Sequence, residues 1–220
     1  MKFNLTYEGS LPSSGNKPKN EDKWRIRKHF HPQLLDLWKN HPALKRTILT
    51  GRYFPIIGGA TIRQVHHLHP GVPILHGPES PDLPIDRGVI DLCEPIVKHG
   101  AVFSPLVRET FALHCGLKIL FLRREGPGRV YQGGDIDGRI KTLLDALAMP
   151  QHVEQVLERT TTGMAPMHVL LEDDSRVSGL TVESERLLGA EGMPEDYAKL
   201  TIEVDVRVRE ALIYNQSFLS

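Results

Sequence analysis

The sequence predicts an α+β fold of two layers, with helices packed on a mixed β-sheet. Three observations predict it. Apolar and polar residues alternate near both ends, at Phe3, Leu5 and Tyr7 and again at Leu200, Ile202, Val204, Val206 and Val208. A third alternating run holds Leu117, Ile119 and Phe121 in the middle. Between these strands, Ile136, Ile140, Leu143, Leu144 and Leu147 recur at helical spacing and form one apolar stripe.

The elements follow in order. "MKFNLTYEG" is a strand, and "SLPSSGNKPKNEDK" is a polar loop rich in Ser, Gly, Pro and Asn. Ile26, Phe30, Leu34, Leu35 and Trp38 keep mostly helical spacing, and Pro32 suits a first turn, which predicts a helix from Pro32 towards Lys39. A second helix is expected from Pro42. Residues 51–84 are rich in Gly, Pro and His with no clean period, and read as a loop-and-short-strand insertion. "RGVIDLCEPIVKHG" reads as a short helix or a strand and turn. "FALHCGLKILFLRRE" is a strand, "GPGRVYQGG" a loop, and the stretch from Asp135 to about Met149 a helix. "QHVEQVLERTTTG" reads as another helix, inserted at about 150–166, with Val153, Val156 and Leu157 on its inner face. "MHVLLEDD", "SRVSGLTVES" and "KLTIEVDVRV" are strands. One domain over 1–220 with two insertions accommodates all of this.

Bulk properties narrow the class. Of 220 residues, 40% are hydrophobic and 25% charged, as in ordinary globular proteins. No apolar run is long enough for a membrane helix, and the N-terminus lacks the apolar core of a signal peptide. Cys93 and Cys115 lie outside any C-x-x-C spacing and read as free thiols of a reducing compartment, so a cytoplasmic location is expected. Net charge is zero but unevenly spread: 12 Lys/Arg against 4 Asp/Glu up to Arg63, and 6 against 13 from Gln151 onward. A basic front segment is consistent with a polyanionic partner. Lys17, Lys19, Lys23, Arg25, Arg27 and Lys28 cluster around Trp24, and Arg123, Arg124 and Arg129 follow the central strand. Both groups are candidate contacts to a nucleic-acid backbone. His66, His67, His69 and His76 lack a Cys or carboxylate at a standard spacing, so surface histidines are the simpler reading than zinc. No phosphate-binding glycine loop and no serine-hydrolase elbow is present.

The chemistry-bearing stretch is "DIDGRIKTLLDAL". Asp135 stands where an N-cap belongs. Asp137, Lys141 and Asp145 are spaced by four and share one face, away from the apolar stripe. Taken alone this also describes a well-capped helix, since an Asp N-cap contributes about 1 kcal/mol. As a site, Asp135 and Asp137 offer hard oxygens to Mg²⁺, and Lys141 one turn on could face a phosphate oxygen. A further acid is available at "VLLEDDSRV", where Asp173 and Asp174 follow a strongly apolar run.

"DIDGRIKTLLDAL" followed by "LLEDDS" resembles the RusA family of Holliday junction resolvases, whose pattern is D-x-D-N-x-x-K-x-x-x-D-A-L and then an apolar run ending in D-D. The opening strand, the "GSLPSSGNK" turn and the closing strands are also similar in order. Gly138 stands where the pattern has Asn, and the two added segments lengthen the chain. The resemblance implies a RusA-like fold and a Mg²⁺-dependent endonuclease for branched DNA such as a four-way junction, acting in recombination or repair as a homodimer. It implies metal-binding carboxylates at Asp135, Asp137 and Asp174, with Asp173 as the alternative ligand, and an essential Lys141. The other class left open is a nucleic-acid-binding or phage-associated accessory protein that keeps the fold without the chemistry.

Overall fold

The computed structural model describes residues 1–14, 19–42, 44, 54–55, 61–62, 95–124, 136–157, 166–211, 215 and 218–219. The expected insertion at 51–84, the four histidines in it, Cys93 and the 126–134 loop fall almost wholly outside these. Within them the chain is mixed α+β, with two mixed sheets and two helices.

The larger sheet holds β1 (Lys2–Ser10), β6 (Leu113–Arg123), β8 (Val177–Arg186) and β9 (Tyr197–Val208) in the order β1-β9-β6-β8. β9 runs antiparallel to both β1 and β6, while β8 runs parallel to β6. The smaller sheet holds β4 (Ile96–Lys98), β5 (Ala101–Val107) and β7 (Met167–Leu171), with β4 antiparallel and β7 parallel to β5. β2 (Phe54–Pro55) and β3 (Thr61–Ile62) form a separate two-residue pair. The helices are α1 (Asn20–Asn40) and α2 (Ile136–Leu147).

Period-two burial organises the larger sheet. Leu5 and Tyr7 of β1, Leu117, Ile119 and Phe121 of β6, and Leu200, Ile202, Val204 and Val206 of β9 are buried together. Phe30, Leu34 and Trp38 of α1 and Ile140 and Leu143 of α2 join the same core.

Two expectations are corrected, and one strand is added that the sequence did not reveal. The first helix does not start at Pro32: α1 begins at Asn20 and carries Pro32 inside it. An interior proline costs about 3 kcal/mol. Here Pro32 lies on the exposed face, while Trp24, Ile26, Phe30, Leu34 and Trp38 bury one stripe spanning both halves. Burying several such side chains outweighs one proline, at roughly 1.5–3 kcal/mol each. Second, the helix expected from residue 151 is, among the described residues, a single 3-10 turn at Val153–Gln155. The Gln155 side chain accepts from the Gln151 backbone N–H at 2.8 Å and closes the turn on itself. Val153 and Leu157, expected inside, are exposed. Third, β5 has no counterpart in the sequence reading. "AVFSPLV" lies between β4 and β7 and is buried on both faces, so it shows no alternation, and Pro105 further masks it.

Candidate active site

β6 and β8 are parallel neighbours, so the chain between them must cross over. That crossover carries α2 and β7, and it brings both acidic motifs to one end of the fold. Ala148, just past α2, bridges Leu171 at the end of β7, and the Met149 N–H donates to the Leu171 carbonyl at 3.0 Å. The ends of α2 and β7 are therefore tied side by side.

Asp137, Lys141 and Asp145 of α2 line one cleft of about 610 Å³ together with Asp174 and Arg123. The far wall is β8, through Leu180, Val182 and Ser184, which alternate on its inner face. The i,i+4 spacing in α2 thus places its charged face towards the turn that follows β7. Arg123, the last residue of β6, is buried beside it.

The three acids of "EDD" take three different roles. Glu172 Oε2 accepts the Glu109 backbone N–H at 2.7 Å. Asp173 Oδ1 accepts the Ser175 N–H at 3.0 Å and caps the 3-10 turn Asp174–Arg176. Those bonds to Ser175 hold the Asp173 carboxyl below the usual range. Asp174 alone of the three lines the cleft. Burial, then the neighbouring Asp173 carboxylate and Asp145, push the Asp174 carboxyl above the usual range. The turn is fixed from outside by the ion pair of Arg176 with Glu109. Of the two adjacent aspartates, Asp174 faces the cleft and Asp173 caps the turn that carries it.

The basic segment of α1 is divided: Lys23 and Arg27 turn inward, while Arg25 and Lys28 are exposed. Lys23 Nζ lies 2.6 Å from Asp145 Oδ2, with little of either side chain exposed, so Lys23 is committed to the cleft wall and not to a solvent-facing patch. Arg25 donates to the Tyr7 hydroxyl and the Ser10 carbonyl at 2.8 and 2.6 Å. Arg27 is buried and donates to the carbonyls of Asp145 and Ala148 at 2.8 and 2.9 Å, capping the C-terminal end of α2. Burial brings the Arg27 guanidinium down to about 10, so it remains a cation at neutral pH. Arg124 is exposed and donates to the Met193 carbonyl at 2.9 Å, away from the cleft. Lys19 precedes α1 and is half-buried. Asp135, Lys17 and Arg129 lie outside the described residues. Arg27 and the Lys23–Asp145 pair are what sequence reasoning missed. The i,i+4 repeat of Lys23 and Arg27 on α1 was the available signal, but it reads equally as a solvated face.

Gly138 has a packing role. The Ser14 N–H donates to the Gly138 carbonyl at 3.0 Å, laying the 11–14 segment across the first turn of α2. A Cβ at 138 would overlap Ser13 Oγ and come within 3.1 Å of the Ser14 nitrogen. The glycine permits this close approach.

Asp137 and Asp174 line the same cleft, and Asp174 lies near two further carboxylates, Asp173, which accepts from Ser175, and Asp145, which pairs with Lys23. Among the described residues, no three His, Cys, Asp or Glu side chains converge closely enough to hold a metal. A Mg²⁺ ion in this cleft would meet Asp137 and Asp174, with water and substrate oxygens completing its shell. Cys115 is buried and its thiol is pushed up to about 12, so it takes no part. Among the described residues no helix is long and apolar enough to cross a membrane. No protein-family model, curated protein or solved structure matches this chain.

Proposed function

We propose that the chain is a Mg²⁺-dependent endonuclease with a RusA-like fold, acting on branched DNA in recombination or repair as a homodimer. The observation that carries this reading is the convergence of Asp137, Lys141 and Asp174 on one cleft, from segments far apart in sequence. The resemblance of both motifs to the RusA pattern supplies the reaction class.

Asp137 and Asp174 would hold the cation, with Asp135 the further ligand that the resemblance implies and Asp173 holding Asp174 in place. A bound divalent ion supplies a polarised water and charge compensation for in-line displacement at phosphorus. Lys141, exposed on the rim one turn from Asp137, neutralises a non-bridging phosphate oxygen as charge builds. Arg123 adds a second cation at the cleft floor, and its burial strengthens its pull on a phosphate. Lys23 holds Asp145 through an ion pair and keeps that acid from repelling the strand.

The test is a synthetic four-way junction incubated with Mg²⁺ and either the wild type or Asp137→Asn. Cleavage by the wild type and its loss in the variant are expected. Cleavage surviving the substitution contradicts the site. Binding without cleavage by the wild type favours the accessory-protein reading.

A further inference from the structure

The cleft is charged only along part of its lining. Its remaining wall is apolar and has a topological origin. On the inner face of the sheet, Leu117, Ile119 and Phe121 of β6 register with Leu180, Val182 and Ser184 of β8. The β6 residues are buried in the core, but β8 is the edge strand, and there the cover thins. Val182 is half-buried, and Leu180 is 44% exposed. Ile140 and Leu144 of α2 face them across the cleft. Fully paired duplex presents phosphates outward and keeps its bases stacked, so it leaves such a wall in water.

We infer that this wall receives an unpaired nucleobase from the strand whose phosphate lies at Arg123 and Lys141. The preferred substrate is then nucleic acid with a locally unstacked nucleotide, not continuous duplex. The inference rests on the nuclease reading of the same site. Size and charge both suit this occupant. The cleft volume of about 610 Å³ falls in the range of small-ligand pockets. The same lining holds the two cations Arg123 and Lys141, beside the carboxylates of Asp137, Asp145 and Asp174, next to the apolar strip. A base already unpaired enters at least cost, because unstacking a paired one takes a few kcal/mol.

The test reads binding, not cleavage. Two four-way junctions are prepared with one unpaired position at the exchange point, bearing 2-aminopurine in one and an abasic site in the other. Both are titrated with Ca²⁺ in place of Mg²⁺, a hard divalent ion for the same carboxylates, against the wild type, Leu180→Ser and Leu180→Asp. Leu180 is exposed enough for both variants to fold, which circular dichroism checks. The wild type is expected to bind the base-bearing junction about tenfold more tightly, with a change in 2-aminopurine emission. Both variants lose that preference. Equal affinity for the two junctions, or a preference that survives both substitutions, overturns this inference alone. Failure to bind DNA of any structure overturns the nuclease reading and the inference with it.

Discussion

Gly138 shows how one residue carries a structural demand inside a chemical motif. The 11–14 segment lies against the first turn of α2 with no room for a side chain. Introducing Asn, the residue of the RusA pattern, is therefore expected to destabilise the fold by about 1–3 kcal/mol as the segment is displaced. Urea unfolding of Gly138→Asn measures this, and no gain in junction cleavage is expected to accompany it. The same scale separates Asp173 from Asp174. Two adjacent identical residues look interchangeable in sequence. Only the turn geometry gives one to the Ser175 N–H and the other to the cleft. Lys141 and Asp137 were legible from spacing alone, because a helix puts i and i+4 on one face whatever surrounds it. Lys23 was not legible as an ion-pair partner, since its mate Asp145 is far away in the chain.

Among the elements, α1 acts as a clamp. At one point its Arg27 caps α2 through two backbone carbonyls. At another, His31 Nδ1 accepts the His168 backbone N–H of β7 at 2.9 Å. α1 thus grips both segments that deliver the site. Removing the guanidinium in Arg27→Ala leaves buried carbonyls without a donor and a void beside Trp24, which is expected to cost roughly 3 kcal/mol. Denaturant unfolding at neutral pH measures that loss. The His31 contact carries a pH dependence. Burial lowers the His31 imidazole below its usual range, and acceptance at Nδ1 requires the neutral ring. The unfolded chain therefore binds the proton more readily, so this contribution is present at higher pH. It is lost as pH falls from the ordinary histidine value through the lower folded one. His31→Asn keeps an acceptor without titrating, and its melting temperature is expected to fall less than that of the wild type between about pH 7 and about pH 5. These contacts explain why the helix continues through Pro32. Local propensity argued for a start there, and tertiary packing overrode it. β1, β6 and β9 were legible because each shows one face to the core and alternates, whereas β8 is an edge strand with no fully buried residue. β5 was hidden because burial on both faces erases that pattern.

At the scale of the whole molecule, topology assembles the site. A parallel β6–β8 pair forces a crossover, and the crossover carries α2 and β7 to one end, where their acids share a cleft closed by the edge strand. The uneven charge of the two halves suggests a basic face, but Lys23, Arg25 and Arg27 of the front segment are engaged in contacts within the fold. The cleft itself is lined by Arg123 and Lys141 beside the carboxylates of Asp137, Asp145 and Asp174. Asp137 and Asp174 are proposed to serve one cation and one reaction. Single-turnover cleavage of a four-way junction in Mg²⁺ tests it directly, using Asp137→Asn, Asp174→Asn and the double variant. Residues acting as a unit are non-additive, so each single substitution is expected to remove nearly all activity and the double variant to be no slower than either. Losses that multiply, or a single variant that still cleaves at the wild-type rate, would contradict the claim.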